Sequence, residues 1–129
     1  MPLQVTGLYA ALLCLIGLAL TLMVGAKRAK TPVSLGDGGD KGLLEAMRRQ
    51  ANWVENVPYV LILFAIIELN GAPQTWLHTM GAVLVVSRVL HPIGIDAGVM
   101  MKLPRFVGML GTLLVALAAI TTALWQQFG

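Results

Sequence analysis

Apolar positions fall into four long runs separated by short polar connectors. Residues 5–25 contain no Asp, Glu, Lys or Arg. As a helix rising 1.5 Å per residue, a run of about 21 residues reaches across a hydrocarbon core of roughly 30 Å. A cleaved signal peptide is the competing reading of this run. It is disfavoured because no basic residue precedes it and no polar mature domain follows. A second run, residues 50–69, is led in by a charged helical stretch over 43–52. The third, 76–93, contains Arg88 and His91, and the fourth covers 106–125. The pattern predicts an all-α integral membrane protein: a four-transmembrane-helix bundle forming one domain over residues 1–129.

The connectors set the expected orientation. The first, from residue 26 to about 42, opens with Lys27, Arg28 and Lys30 and turns through Pro32 and Gly36-Asp37-Gly38-Gly39, a composition that breaks helices. The second, Asn70-Gly71-Ala72-Pro73, is a tight uncharged turn. The third, 94–104, holds Asp96, Lys102 and Pro104, with Arg105 directly after it. Basic residues flank connectors one and three and are absent from connector two and both tails. The positive-inside rule then puts connectors one and three in the cytoplasm and both termini outside. Trp53, Trp76 and Trp125 fall near run ends, where amphipathic rings prefer the headgroup zone.

Composition agrees with this reading. Hydrophobic residues make up 57% of the 129 and charged ones 12%, whereas a soluble domain is nearer a quarter charged. The net charge of +3 does not indicate nucleic-acid binding, because no basic face is interleaved with aromatic or polar readers. The single cysteine, Cys14, excludes an intrachain disulfide and reads as a small buried hydrophobe.

The polar residues inside the runs carry the chemistry. A basic side chain at membrane depth costs several kcal/mol and normally faces a bundle interior, a cavity or a ligand. Arg88 has His91 one turn further along the same face, which suggests the wall of a site; the alternative is a side chain that snorkels to the headgroups. On helix two, Glu45, Arg48, Asn52, Glu55 and Tyr59 fall within roughly 80° of one another at 100° per residue. Glu55 needs a cation, and Arg48, Arg88 and Arg105 are the candidates. One reading is a structural ion pair between helices two and three. The other is a polar pocket open to the cytoplasm, with Asn52 and Glu55 as orienting groups and the arginines as anion binders. Three converging arginines would hold a carboxylate or phosphate and lower the pKa of a thiol brought between them. No protein nucleophile has matching depth, so an enzyme of this kind takes its nucleophile from a cosubstrate. No metal is expected, since His78 and His91 stand toward opposite ends of helix three with no His or Cys cluster near either.

The segment Glu45-Ala-Met-Arg48-Arg-Gln-Ala-Asn52-Trp-Val-Glu55-Asn-Val-Pro58 resembles the signature of the MAPEG family, the membrane-associated proteins of eicosanoid and glutathione metabolism. Ser87-Arg88-Val-Leu-His91 and Pro104-Arg105 are similar to further family positions, and the approach Val33-Ser-Leu-Gly-Asp37-Gly-Gly looks like that of short bacterial members. The resemblance implies a homotrimer in a bacterial inner membrane with glutathione, a cosubstrate, held between subunits. By the same resemblance Arg48, Asn52, Glu55, Arg88 and His91 would bind glutathione, and Arg105 would be the catalytic residue that stabilises its thiolate. The thiolate would attack a lipophilic small-molecule electrophile arriving through the lipid, or reduce a hydroperoxide. Ala51, Ile95 and Phe106 depart from the family pattern, which implies fewer hydrogen bonds to the tripeptide.

Two other classes compete. A non-catalytic scaffold or lipid-binding protein of the same fold predicts that arginine substitutions change assembly alone. A small four-span exporter would use Glu55 or Glu68 as its ion-coupling carboxylate.

Overall fold

The computed structural model describes residues 1–96, 98 and 101–129, so residues 97, 99 and 100 of the third connector lie outside the described residues. The described chain forms α1 (Gln4–Lys30), α2 (Lys41–Leu69), α3 (Gln74–Ile93) and α4 (Leu103–Phe128), and each predicted run lies within one helix. The fold is an all-α membrane bundle.

Helix ends follow local chemistry. Nothing breaks α1 before Pro32, and Thr31, the residue preceding that proline, is extended (φ −120°, ψ 121°). Lys27, Arg28 and Lys30 therefore sit in the last turn of α1 rather than in the connector, where they complement the negative end of the helix dipole. Arg28 then donates to the carbonyls of Val33 (3.2 Å) and Gly36 (2.9 Å), tying the connector to the helix that precedes it. Asp40 caps α2 by accepting from the Leu43 N–H at 2.7 Å. The charged lead-in and the apolar run are thus one helix, continuous through Pro58. Pro104 occupies the first turn of α4, where its missing N–H has no intrahelical partner to lose.

Successive helices run antiparallel. At one end Glu68, near the close of α2, accepts from the Val5 N–H (2.9 Å) and the Thr6 N–H (2.7 Å), satisfying donors that the start of α1 otherwise leaves orphaned. Trp76 of α3 donates to Thr122 of α4 at 3.0 Å, and Gln126 reaches the Ile67 carbonyl at 3.1 Å. All nine Lys and Arg lie in the opposite half of the bundle, hereafter the basic end. α1 packs on α2 and α3, α4 packs on α2 and α3, and among the described residues α1 and α4 do not meet.

Leu13, Val57, Phe64, Ile67, Leu77 and Leu84 fill the core, yet Leu15, Leu18, Leu22, Ile62, Leu113 and Leu117 face outward. In water such a surface would be an aggregation hazard; in hydrocarbon it is matched to its solvent. Cys14 lies on this outer surface, which corrects the expectation that it is buried. Lipid is as apolar as the core, so hydrophobicity does not say which side of a spanning helix a residue occupies. The Trp53 ring packs against Gly17 of α1, 2.9 Å from the site of a glycine Cβ.

Three helices, α1, α2 and α4, are long and apolar enough to cross a membrane by length and composition. α3 is the exception because His78, Arg88 and His91 dilute its apolar content. It folds Ser87, Arg88 and His91 inward, and its 20 residues run alongside the spans it packs on. Several hydroxyls in the spans are satisfied within their own helices, as for Thr112 on the Gly108 carbonyl (2.8 Å) and Thr122 on that of Ala118 (2.7 Å).

The Glu68 clasp has a measurable worth. Glu68→Leu is expected to lower stability in detergent by about 2 kcal/mol or more, the usual range for hydrogen bonds to a charged group. Amide exchange should rise at Val5 and Thr6 before it rises elsewhere, and Glu68→Gln should recover part of the loss.

Candidate functional site

A cavity of about 150 Å³ opens at the basic end. α2 supplies Leu44, Glu45, Arg48 and Asn52 to its wall, a spacing that keeps all four on one side of the helix. α3 supplies His91, the segment after it supplies Ile95 and Asp96, and α4 supplies Arg105 from its first turn. Gly94 makes this convergence possible. A Cβ at that position would overlap the Arg105 backbone N and come within 2.6 Å of the Arg105 Cβ, so α4 begins against the end of α3 only because no side chain intervenes.

Arg48, Asn52, His91 and Arg105 of the sequence-derived set therefore share one cavity. Glu55 and Arg88 do not line it. Glu55 pairs with Arg48, two turns away on the same helix, at 3.9 Å, and both side chains are more than half exposed. This corrects the alternative of an ion pair between helices two and three: the phase of Glu55 turns it outward from α3. An exposed pair of this kind is worth little in water, but on a membrane-spanning surface it presents a polar stripe that also includes the exposed Tyr59.

Arg88 is 2% exposed, which rules out the snorkelling orientation. Its Nη1 donates to Asn52 Oδ1 at 2.8 Å and lies 3.5 Å from the Asn52 carbonyl. It thus stands behind Asn52, and the expected convergence of three arginines is a convergence of two, Arg48 and Arg105, with the third fixing a shared neighbour. Arg88, His91, Asn52, Asn56 and Thr112 also enclose a separate recess of about 30 Å³.

Arg49 is a residue that sequence reasoning missed. Its Nε donates to the Pro92 carbonyl and its Nη2 to the Ile95 carbonyl, both at 2.9 Å, and it lies 3.8 Å from Glu45. It holds the end of α3 to α2 and so sets where His91 and Asp96 meet the cavity. The available signal was the set of orphan carbonyls that every helix end leaves, with a basic residue at matching depth. Arg49→Met is expected to destabilise the bundle by about 2–3 kcal/mol in denaturant or thermal unfolding, and amide exchange should increase first at Gly94 and Ile95.

At the rim, Asp96 accepts from Lys102 at 2.8 Å and from the Gly98 N–H at 2.8 Å. The Lys102 hydrogen bond and then that of Gly98 hold its carboxyl below the usual carboxylate range. A depressed carboxylate supports the fold above its unfolded pKa, about 3.9, and loses that support as pH falls through the folded value. The Asp96 carboxyl is expected to titrate below 3.9 by NMR, and Lys102→Met to move it back toward that value.

Comparison with known proteins adds to this geometry. A profile of the MAPEG family matches residues 6–125. The chain is similar to the inner membrane protein YecN of Escherichia coli strain K12, 37% identical over 92 residues that cover 70% of each chain. The same protein of a second E. coli strain matches equally. No solved structure matches.

Proposed function

The chain belongs to the MAPEG family, and from that premise and the cavity at the basic end we propose that it is an inner-membrane, glutathione-dependent transferase or peroxidase. The observation that carries this reading is the meeting of Arg48, Asn52, His91 and Arg105, drawn from three helices, around one cavity. Glutathione has two carboxylates, one ammonium and one thiol. The lining offers two guanidiniums, an amide and an imidazole, together with the carboxylates of Glu45 and Asp96, so charges of both signs find partners.

Size supports a shared site. A cavity of about 150 Å³ is smaller than the roughly 300–1,000 Å³ that small-molecule sites usually enclose. A single chain therefore provides part of the wall, and the exposed Arg48, Glu55 and Tyr59 stripe is the surface on which neighbouring copies of a homotrimer complete it. In that assembly Glu55 reaches the tripeptide from the subunit boundary. With the basic end in the cytoplasm, soluble glutathione enters from that side and a lipophilic substrate from the bilayer. Arg105 stabilises the thiolate, which forms a thioether with an electrophilic carbon as the leaving group departs, or attacks a hydroperoxide oxygen with release of the alcohol, the sulfenic acid so formed giving disulfide and water with a second glutathione. Glu68 does not favour an exporter, because its carboxylate is engaged by two backbone N–H groups.

The test is direct. Protein purified in detergent should conjugate glutathione to an aryl halide or reduce an organic hydroperoxide, and glutathione at 100 times its dissociation constant should stabilise it by about 2.7 kcal/mol. Absence of both activities, with no calorimetric binding across several low-molecular-weight thiols, overturns the reading in favour of a non-catalytic member.

A further inference from the structure

Arg88 poses a problem of charge that the glutathione cavity does not solve. It is almost wholly buried at membrane depth, where a guanidinium needs both hydrogen-bond acceptors and a counter-charge. Its acceptors are two oxygens of Asn52, one at 2.8 Å and one at 3.5 Å, and its Nε–H has no partner among the described residues. Among the described residues no carboxylate is paired with it. Of the six Asp and Glu, Glu45 pairs with Arg49, Glu55 with Arg48 and Asp96 with Lys102. Asp37 accepts from the Gly39 N–H, Asp40 caps α2 and Glu68 caps α1. Among the described residues no ion pair reaches Arg88.

The space beside it has matching chemistry. The recess of about 30 Å³ is lined by Arg88, Asn52, Asn56 and His91, each of which bears side-chain N–H groups, and by Thr112 and the apolar Met109 and Leu113; Asn56 gives one N–H to the Asn52 carbonyl at 2.7 Å. Its one hydroxyl, that of Thr112, directs its proton to the Gly108 carbonyl. The unpartnered Arg88 Nε–H therefore remains available to an occupant, and the one formal charge of the wall is positive. A volume of this size admits one or two water-sized particles and excludes a carboxylate-bearing metabolite.

We propose that the recess between α2, α3 and α4 is an anion site that takes a single halide-sized anion as the counter-charge of Arg88. The site is separate from the glutathione cavity, although Asn52 and His91 line both, and it does not depend on the enzymatic reading. Occupation would fix Arg88, and through the 2.8 Å bond would orient Asn52 toward the larger cavity.

The experiment uses the full chain in detergent or nanodiscs, with sodium gluconate replaced stepwise by sodium chloride or bromide at constant ionic strength. Gluconate is too large for the recess and serves as the blank. The thermal transition is expected to rise and saturate with halide, by about 4 °C at ten times the apparent Kd, and Arg88→Met should abolish the rise. Crystals of the unsubstituted protein grown in bromide should show an anomalous peak in the recess within hydrogen-bond distance of Arg88. That measurement decides the matter even if the variant does not fold. A transition indifferent to halide, a rise that persists in Arg88→Met, water at full occupancy in the recess, or bromide peaks confined to the surface would each overturn the proposal.

Discussion

Arg105→Ala is expected to lower kcat/KM for glutathione conjugation by about 10²-fold or more, the scale on which removing one preorganised charge-stabilising donor acts. Arg105 stands in the first turn of α4 and lines the cavity opposite the Arg48 and Asn52 wall of α2. On the proposed reading its guanidinium meets the thiolate of glutathione. Arg105→Lys keeps the charge but replaces a planar fork with a point donor, so it should recover only part of the rate. The diagnostic is a pH profile: in the alanine variant the rate should climb toward the ordinary thiol pKa near 8.5, whereas the parent should already be active below it. Loss of activity with an unchanged profile would assign Arg105 to binding rather than to thiolate stabilisation. A change of elution volume would assign it to assembly.

The second large effect concerns packing. A Cβ at Gly108 would lie 2.6 Å from the Ser87 carbonyl oxygen and 2.7 Å and 2.8 Å from the N and Cα of His91. These are backbone atoms and cannot swing aside. Gly111, one turn on, receives Ser87 in the same way, its absent Cβ leaving space for the Ser87 hydroxyl oxygen. Small residues on one face let helix backbones approach closely in membranes, where dispersion rather than the hydrophobic effect joins the helices. Gly108→Val is expected to cost about 3 kcal/mol or more and, by pushing α4 from α3, to displace His91 and Arg105 together. Thermal unfolding and loss of glutathione binding in one variant would check this. Gly25→Ala is the control: nothing lies within 4 Å of that site, so stability should hold or rise by up to about 1 kcal/mol. Equal losses at Gly108 and Gly25 would sink the close-packing account.

The coupling of these two effects shows where the sequence stops informing. The polar stripe of α2 is legible from its phase, and Arg48 and Asn52 of that stripe line one cavity whereas Glu55 does not. Phase does not say which neighbour a side chain meets. Charge alone leaves Arg48, Arg88 and Arg105 as candidates for Glu55; it pairs with Arg48 of its own helix, whereas Arg88 meets an amide. Arg49, adjacent to Arg48 in sequence, carries the α2 to α3 tie.

By itself the sequence determined the solvent of this protein, the four helical runs and the depth of each polar residue along them. Length, hydropathy and the cost of charge in hydrocarbon act residue by residue and leave their mark in order along the chain. Only the tertiary structure decided which residues face lipid and which face the core, because both environments are apolar, as the outward position of Cys14 shows. It also decided that Arg48 and Arg105 share one cavity while Arg88 lines another. That division depends on the close approach of α3 and α4 at Gly94 and Gly108, a relation between helices that the periodicity of each helix alone does not contain.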